Sequence, residues 1–367
     1  MKFVVLVVFP KGMDIQELLR LTIKNKASDL HLLAGIPPTV RIDGSLGYLP
    51  NQPVLTQELL QEMIFSLLTA EQREMFLANK ELDFSFGFGG GTYGNLGRFR
   101  ANIYYQRRYI SGAFRLFSPN IRTIEELNLP KILNDFAKLK QGFVLITGPN
   151  GHGKSTTLAS IINEINLNRA SHILTIEDPI EYMYPNGKSI VSQREMGVDT
   201  HSWDMALRAA LREDPDVVLV GEMRDPETIA TAISVAETGH LVFSTLHTNS
   251  ASQTVDRMID VFPANQQSQI KIQLAATLRG IVSQRLLPAI NGGRVPAVEL
   301  LIGTPAVASV IREGKTHMLD SIIQTSQDVG MTTLEYSLAS LVRSRTVALQ
   351  TAEGFALHQN DLLQQIR

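Results

Sequence analysis

The chain contains no cysteine. That excludes disulfides and thiolate-ligated zinc, and it fits a reducing compartment. Charge of one sign is lacking too: 34 Lys and Arg stand against 36 Asp and Glu, a net charge of −2. Such a balance gives no global electrostatic reason to expect a nucleic-acid partner. No apolar run approaches the roughly 18 residues that a membrane helix needs. The apolar stretch Lys2-Phe-Val-Val-Leu-Val-Val-Phe9 is too short to span a bilayer, and no small-residue cleavage site follows it. It reads either as an added β-strand or as an over-extended start whose natural first residue is Met13. Internal repeats and low-complexity tracts are also missing.

What remains is an ordinary globular composition, 44% apolar and 19% charged over 367 residues, a length that suits two domains. Residues 1–13 form a short apolar extension. Residues 14–26 predict an amphipathic helix with Ile15, Leu18, Leu19 and Thr22/Ile23 on one face. A Gly35-Ile-Pro-Pro38 turn precedes a strand near Thr39–Ile42, and Asp43-Gly44 is a hairpin signal. Two more helices follow at 56–68 and 69–80, with Thr56 and Thr69 as N-caps. Then the period changes to two. Leu82–Phe88 alternates with Phe84, Phe86 and Phe88 on one face, the glycine-rich stretch Gly87 to Gly97 reads as a hairpin loop, and 98–105 and 111–117 are further alternating strands. Residues 14–117 therefore predict a small α+β domain with an antiparallel sheet. Ser118-Pro119 breaks the pattern, and 118–130 reads as a linker.

From residue 131 strands and helices alternate. Candidate strands are 143–147, 173–176, 217–220 and 241–245, which predicts an α/β domain with a mainly parallel sheet covered on both faces. The helix 226–238 is marked by Asp225 as N-cap, Pro226 at its first position and Gly239 beyond its end. From about residue 265 the apolar spacing suggests a helical C-terminal part.

The chemistry centres on one stretch. Phe143-Val-Leu-Ile-Thr147 is apolar, Gly148-Pro149-Asn150-Gly151-His152-Gly153-Lys154-Ser155 has the G-x-x-x-x-G-K-S form, and the run from Thr156 to Asn163 has helical spacing. A buried strand, a phosphate-cradling loop and a helix N-terminus follow from that order. Backbone N–H groups of the loop, through Thr156, hold the nucleotide phosphates, Lys154 reaches the β/γ-phosphates, and the Ser155 hydroxyl binds Mg²⁺. A plain strand-to-helix turn would leave Lys154 and three glycines unexplained.

In such a sheet, ligands meet the C-terminal strand ends. Asp216-Val-Val-Leu-Val-Gly-Glu222 has an acid at each end, so Glu222 faces the nucleotide, as a Mg²⁺-water or attacking-water carboxylate, and Asp216 is structural. Glu177, Asp178 and Glu181 fall at the end of a second strand. One of them is suited to orient or deprotonate the attacking water. A solvated acidic loop is the simpler alternative. His247 ends a third strand and is placed to sense the γ-phosphate, while His240 lies at that strand's opposite end, too far for a zinc pair. Arg98, Arg100 and Arg115 alternate with apolar residues on one polar face of the small domain. They are candidates for stabilising transferred-phosphoryl charge, against solvated strand residues or, with Tyr104, Tyr105 and Tyr109 interleaved, a nucleic-acid patch.

Together with Ser28-Asp-Leu-His31, Gly97-Arg-Phe-Arg100, Thr175-Ile-Glu-Asp-Pro-Ile-Glu181, Leu211-Arg-Glu-Asp-Pro-Asp216, Val220-Gly-Glu-Met-Arg-Asp225, the run Thr238–Thr248 and Ile311-Arg-Glu-Gly-Lys-Thr-His317, the chain resembles the secretion/type IV pilus ATPase superfamily, most closely the PilT-type retraction ATPases. The likeness runs from Asp14 to about residue 345. It implies a PAS-like domain followed by a RecA-like ATPase domain, ATP and Mg²⁺ as cofactors, and a homo-hexameric ring whose sites lie near a neighbour's small domain. By the same resemblance Glu181 is the catalytic glutamate, Glu222 the Walker B glutamate, and His240 and His247 the histidine-box pair. Arg98, Arg100 and Arg115 match arginines that reach the nucleotide. ATP hydrolysis would drive the inner-membrane platform protein that extracts pilin, which places the ring at the cytoplasmic face of the inner membrane, peripheral to it. Two departures stand out. Asn150 and His152 replace the usual Thr and Ser of the loop. Ala308 and Ser309 stand where the retraction motif usually carries Arg and Asn. Competing readings are an assembly or type II secretion ATPase, which usually carries a four-cysteine zinc insert, a non-hydrolysing paralogue within a motor ring, and a nucleic-acid translocase.

Overall fold

The computed structural model describes residues 14–42, 44–89, 96–117 and 120–366. The apolar stretch Lys2–Phe9, Asp43 of the expected hairpin, the middle of the glycine-rich loop and the Ser118-Pro119 break lie outside the described residues. The chain divides into two units, one reaching Asn120 and taking in Glu181–Met183, the other made of Ile121–Ile180 and the chain from Tyr184 onward.

In the first unit, α1 (Ile15–Lys24) starts where the Asp14 side chain accepts the Glu17 N–H at 2.7 Å. Its spacing buries Ile15, Leu18, Leu19 and Thr22. Three short strands follow, β1 (Asp29–Leu32), β2 (Thr39–Ile42) and β3 (Ser45–Tyr48). Then come α2 (Gln57–Phe65) and α3 (Ala70–Asn79), the latter opened by a reciprocal capping box between Thr69 and Gln72. β4 (Glu81–Phe88), β5 (Gly97–Gln106) and β6 (Tyr109–Phe117) complete an antiparallel sheet in the order β3-β2-β1-β6-β5-β4. Alternation along β5 buries Phe99, Ala101 and Ile103 and turns Arg98 and Arg100 to the other face.

The second unit begins with Ile124 and Leu129, both buried in its core although 118–130 reads as a linker, and with α4 (Leu133–Lys138). Next are β7 (Gly142–Thr147), α5 (Lys154–Asn168), β8 (His172–Glu177) and β9 (Ile190–Glu195). α6 (Trp203–Ala210), β10 (Val217–Val220), α7 (Pro226–Glu237) and β11 (Leu241–Leu246) continue the alternation. After α8 (Ala251–Asp260) and α9 (Ala264–Thr277) come β12 (Leu278–Pro288) and β13 (Arg294–Ile302). The chain finishes in α10 (Pro305–Glu313), α11 (Leu319–Thr325), α12 (Leu334–Arg343), α13 (Leu349–Phe355) and α14 (Gln359–Ile366). The sheet order is β13-β12-β7-β11-β10-β8-β9, parallel throughout except that β13 runs antiparallel to β12.

β7 lies inside this sheet with helices over both faces. Phe143 and Leu145 enter the core that α7 and α9 cover, whereas Val144 and Ile146 enter the core under α4 and α5. Two-sided burial is why the strand is apolar at every position rather than alternating. Each such side chain contributes roughly 1.5–3 kcal/mol of burial.

The expectation of a helical part from about residue 265 needs correction. A hairpin, β12–β13, intervenes before the last five helices. β12 is buried on both faces, so its apolar run has no period of two to mark it, and a short run of that kind does not separate strand from helix. The turn sits at Gly292-Gly293, both with positive φ. β9, an edge strand without a strong apolar pattern, is likewise an addition to the four expected strands.

One carboxyl lies deep in this hairpin. Glu299 of β13 accepts the Ala251 N–H at 2.6 Å. Burial above all, with the nearby Asp320 and Glu335, raises its carboxyl to about 7, against the opposing pull of the Ala251 N–H and Arg285. A carboxyl raised in the folded state stabilises fully below its unfolded value, and that contribution is lost as pH rises through 7. We expect wild-type unfolding free energy to fall by on the order of 3 kcal/mol through this group between about pH 5 and pH 8. Urea titrations of Glu299→Gln across that window should lack this slope; an unchanged slope would remove Glu299 as its source.

Candidate functional site

The parallel strands β7, β8, β10 and β11 all end at one edge of the sheet, and the sequence-predicted loop, acids and histidine follow those ends. At the end of β7 the chain must turn sharply. Gly148 has φ +139°, and a Cβ there would meet the Gln284 carbonyl oxygen at 2.4 Å. Only glycine fits that contact with backbone. Gly153, with φ +85°, caps α5 without any side chain, so the first N–H groups of the helix face the loop. That arrangement is an anion site.

Lys154 is buried at 8% exposure. Its ammonium donates to the carbonyls of Gly148 at 2.8 Å and Pro149 at 3.1 Å, and it stands 3.3 Å from Nδ1 of His247. An ammonium cannot accept, so Nδ1 of His247 is the acceptor and its proton sits on Nε2. Nε2 in turn lies 2.8 Å from Oε1 of Glu222. Arg224 grips the same carboxylate in a fork, Nε to Oε1 at 2.9 Å and Nη2 to Oε2 at 3.1 Å. Burial raises the Glu222 carboxyl, but the hydrogen bonds of Arg224 and His247 and the charge of Arg224 outweigh that and hold it below the usual carboxylate range. A continuous chain therefore joins the loop lysine to the acid at the end of β10, as the strand-end argument requires.

Other sequence-predicted residues take different places. Asp216 accepts the His172 N–H at 2.8 Å at the far end of β10, a structural bond. His240 packs its Nδ1 3.0 Å from the Val235 carbonyl and from Thr238 Oγ1, at the C-terminus of α7 and away from the loop. Glu177 closes β8 and accepts from Thr175 Oγ1 at 2.7 Å and Gln193 Nε2 at 3.3 Å. Glu181 follows the turn at Ile180, whose N–H the buried Glu195 accepts at 3.1 Å, and it groups with the first unit. In that unit Arg100 and Arg115 lie directly opposite on β5 and β6. Asp83 pairs with Arg100, and Asp29 accepts from Arg115 Nε at 3.0 Å, while Arg98 donates to Ser85. These carboxylates keep a like-charged cross-strand pair compatible with one sheet face.

Sequence reasoning missed Arg224, Gln284 and Arg285. Arg224 stands two residues past Glu222, a spacing that would have suggested the fork. Gln284 and Arg285 are on β12, and no local signal ties them to a loop some 130 residues earlier. Gln284 donates from Nε2 to the His152 carbonyl at 2.8 Å and accepts from Thr157 Oγ1 at 2.7 Å. Arg285 donates to the Asn249 carbonyl and side chain, both at 3.0 Å, just beyond His247.

A parallel sheet, a glycine loop leading into a helix, a buried lysine at its start and an ionised acid just past the end of β10, one strand beyond β11, define a P-loop nucleotide hydrolase. The comparisons narrow the class. Residues 123–294 match the family described as type II/IV secretion system protein. The type IV pilus retraction ATPase PilT of Pseudomonas aeruginosa is 45% identical over 93% of this chain and 97% of its own. A twitching motility protein of Neisseria gonorrhoeae is 44% identical over 90% and 87%. The crystal structure of the pilus retraction motor PilT with bound ADP superposes with a TM-score of 0.89 at 45% identity, covering 96% of this chain and all of that one. The chain belongs to the PilT-type ATPases of the type II/IV secretion family. It is an ATP hydrolase that uses adenine nucleotide.

Gly148→Ala puts a methyl group into the Gln284 carbonyl and forces an unfavourable φ. We expect ADP affinity, read by fluorescence titration, to drop at least about tenfold while far-ultraviolet circular dichroism stays native. Wild-type affinity in this variant would refute the close approach.

Proposed function

We propose that this chain is a motor ATPase that powers type IV pilus retraction. The observation that carries the retraction role is 45% identity to the retraction ATPase PilT over nearly the whole of both chains, and the hydrolytic step is supported by the Lys154–His247–Glu222–Arg224 chain spanning from the phosphate loop to the end of β10. That hydrogen-bonded chain links the group that meets a γ-phosphate to the acid that handles water and cation, so hydrolysis has a direct route to the protein's hydrogen bonding.

In this reading the N–H groups of the loop and the first turn of α5 hold the phosphates, among Gly148 to Thr156. Lys154 exchanges its bonds to the Gly148 and Pro149 carbonyls for β/γ-phosphate oxygens, which also loosens its hold on His247. His247, released from Lys154, can then turn an imidazole N–H toward a γ-phosphate oxygen and donate to it. Mg²⁺ favours hard oxygen donors and keeps several waters. The Ser155 hydroxyl and the Glu222 carboxylate, held ionised by Arg224 and His247, have the chemistry to hold it, and the ion would neutralise developing phosphate charge. Glu181 is the proposed base for the attacking water. Arg98, Arg100 and Arg115 are proposed to serve the phosphates of a neighbouring chain in a homo-hexameric ring, each giving up an aspartate or serine partner to do so. The partner of the ring would be the inner-membrane platform protein, with the ATPase peripheral at its cytoplasmic face. Among the described residues no helix is long and apolar enough to cross a membrane.

The departure at Ala308 and Ser309 bears on the mechanical step rather than on hydrolysis. Ala308 packs against the core and Ser309 Oγ donates to Glu313 at 3.0 Å, so α10 holds together without the usual Arg and Asn.

Two measurements test the proposal. Glu222→Ala should lower ATP turnover by at least about a hundredfold with ADP binding largely kept. The wild-type chain, expressed in a strain lacking its retraction ATPase, should restore twitching, and Glu222→Ala should not. Restored turnover without twitching would refute the retraction role and keep the enzyme.

A further inference from the structure

β12 outruns its parallel neighbour. The ladder with β7 ends at Ser283 opposite Thr147, where the chain turns into the phosphate loop, yet β12 continues to Pro288. On its other side β13 stays paired to the end of the strand. The last residues of β12 therefore present strand backbone to a loop that has no strand to offer. A backbone N–H left without a partner there costs on the order of 1–3 kcal/mol. The loop answers with a side chain: the Leu286 N–H donates to Nδ1 of His152 at 3.0 Å.

Two further contacts converge on the same residue, and a third on its neighbour. Gln284 Nε2 donates to the His152 carbonyl at 2.8 Å, and Arg294 of β13 donates to the adjacent Gly151 carbonyl at 3.2 Å. The ring of Phe355, from α13, lies 6.1 Å from the imidazole, centroid to centroid. An imidazole that accepts through Nδ1 carries its proton on Nε2 and is neutral. The groups facing it keep it so. Burial first, then the charges of Arg285 on β12, Lys154 on α5 and Arg294 on β13, hold His152 below the usual histidine range, and α13 adds only an uncharged ring.

We propose that His152 is a positioning residue for the phosphate loop: its imidazole takes the place of the strand partner that Leu286 lacks and so pins the loop to β12. The pin couples the nucleotide site to the β12–β13 hairpin and, through Phe355, to α13. Protonation converts Nδ1 from acceptor to donor, face to face with another donor, so the pin opens as pH falls through the depressed value. The inference rests on reading this loop as the nucleotide site.

The test compares the full-length wild type with His152→Asn and His152→Ala. Asparagine places Oδ1 where Nδ1 stands and does not titrate. Amide exchange of the peptide that spans Leu286 is measured by mass spectrometry without nucleotide, and ADP affinity by fluorescence titration. Near pH 8 we expect the alanine variant to exchange faster and to bind ADP about tenfold more weakly, with asparagine restoring both to within about threefold. On acidification, Leu286 protection in the wild type should fall relative to the asparagine variant at the same pH. Alanine behaving as wild type, asparagine doing no better than alanine, or wild type and asparagine tracking each other with pH would each overturn the proposal. Should the alanine variant fail to fold, the pH comparison of wild type with asparagine decides alone. A wild type that binds no ADP would sink the nucleotide reading, while the exchange arm still tests the pin.

Discussion

Everything at the site depends on β7 being hydrogen-bonded on both edges and buried on both faces. A strand so placed cannot bend or slip without opening two ladders and two cores at once. The chain can leave it only at the C-terminal end, directly against β12 and β11. Gly148 is the result of that crowding, because the exit runs into the Gln284 carbonyl. The helix that follows must start at once, and its uncapped N–H groups become the anion cradle. A rigid strand is thus what gives a flexible glycine sequence one definite shape.

The same confinement shapes the charges. Lys154 is taken out of water and held by two carbonyls of its own loop and by His247. Glu222 is shielded enough for burial to raise it, yet the two donors it accepts keep it ionised. Lys154, His247 and Glu222 thus share one chain of hydrogen bonds, so a change at one alters what the next can hold. Glu299, on β13 of the hairpin, shows the opposite case. It lacks donors equal to its burial, so its carboxyl rises instead. The contrast follows from partner count, one N–H for Glu299 against a forked guanidinium and an imidazole for Glu222.

Much of this was legible in the residues. The loop motif announces itself because glycine positions and a lysine at fixed spacing have few other uses. The strand-end rule separates Glu222 from Asp216 and His247 from His240, and the observed contacts of Asp216 and His240 at the opposite strand ends follow that division. Helix α7 is readable from Asp225, Pro226 and Gly239, since caps are chemistry local to a few residues. The β12–β13 hairpin was not readable as strands, because a run buried on both faces loses the alternation that distinguishes strand from helix. With it went Gln284, Arg285 and the Leu286 partner of His152.

Sequence alone determined the strand–loop–helix order and the candidates for meeting phosphate, because each depends on spacings within some eight residues. The tertiary structure alone decided which strand backs the loop, which tautomer His247 adopts, and that His152 caps an amide of β12. Those are contacts between segments more than ninety residues apart, and they exist only once the parallel sheet has set β7, β11 and β12 side by side.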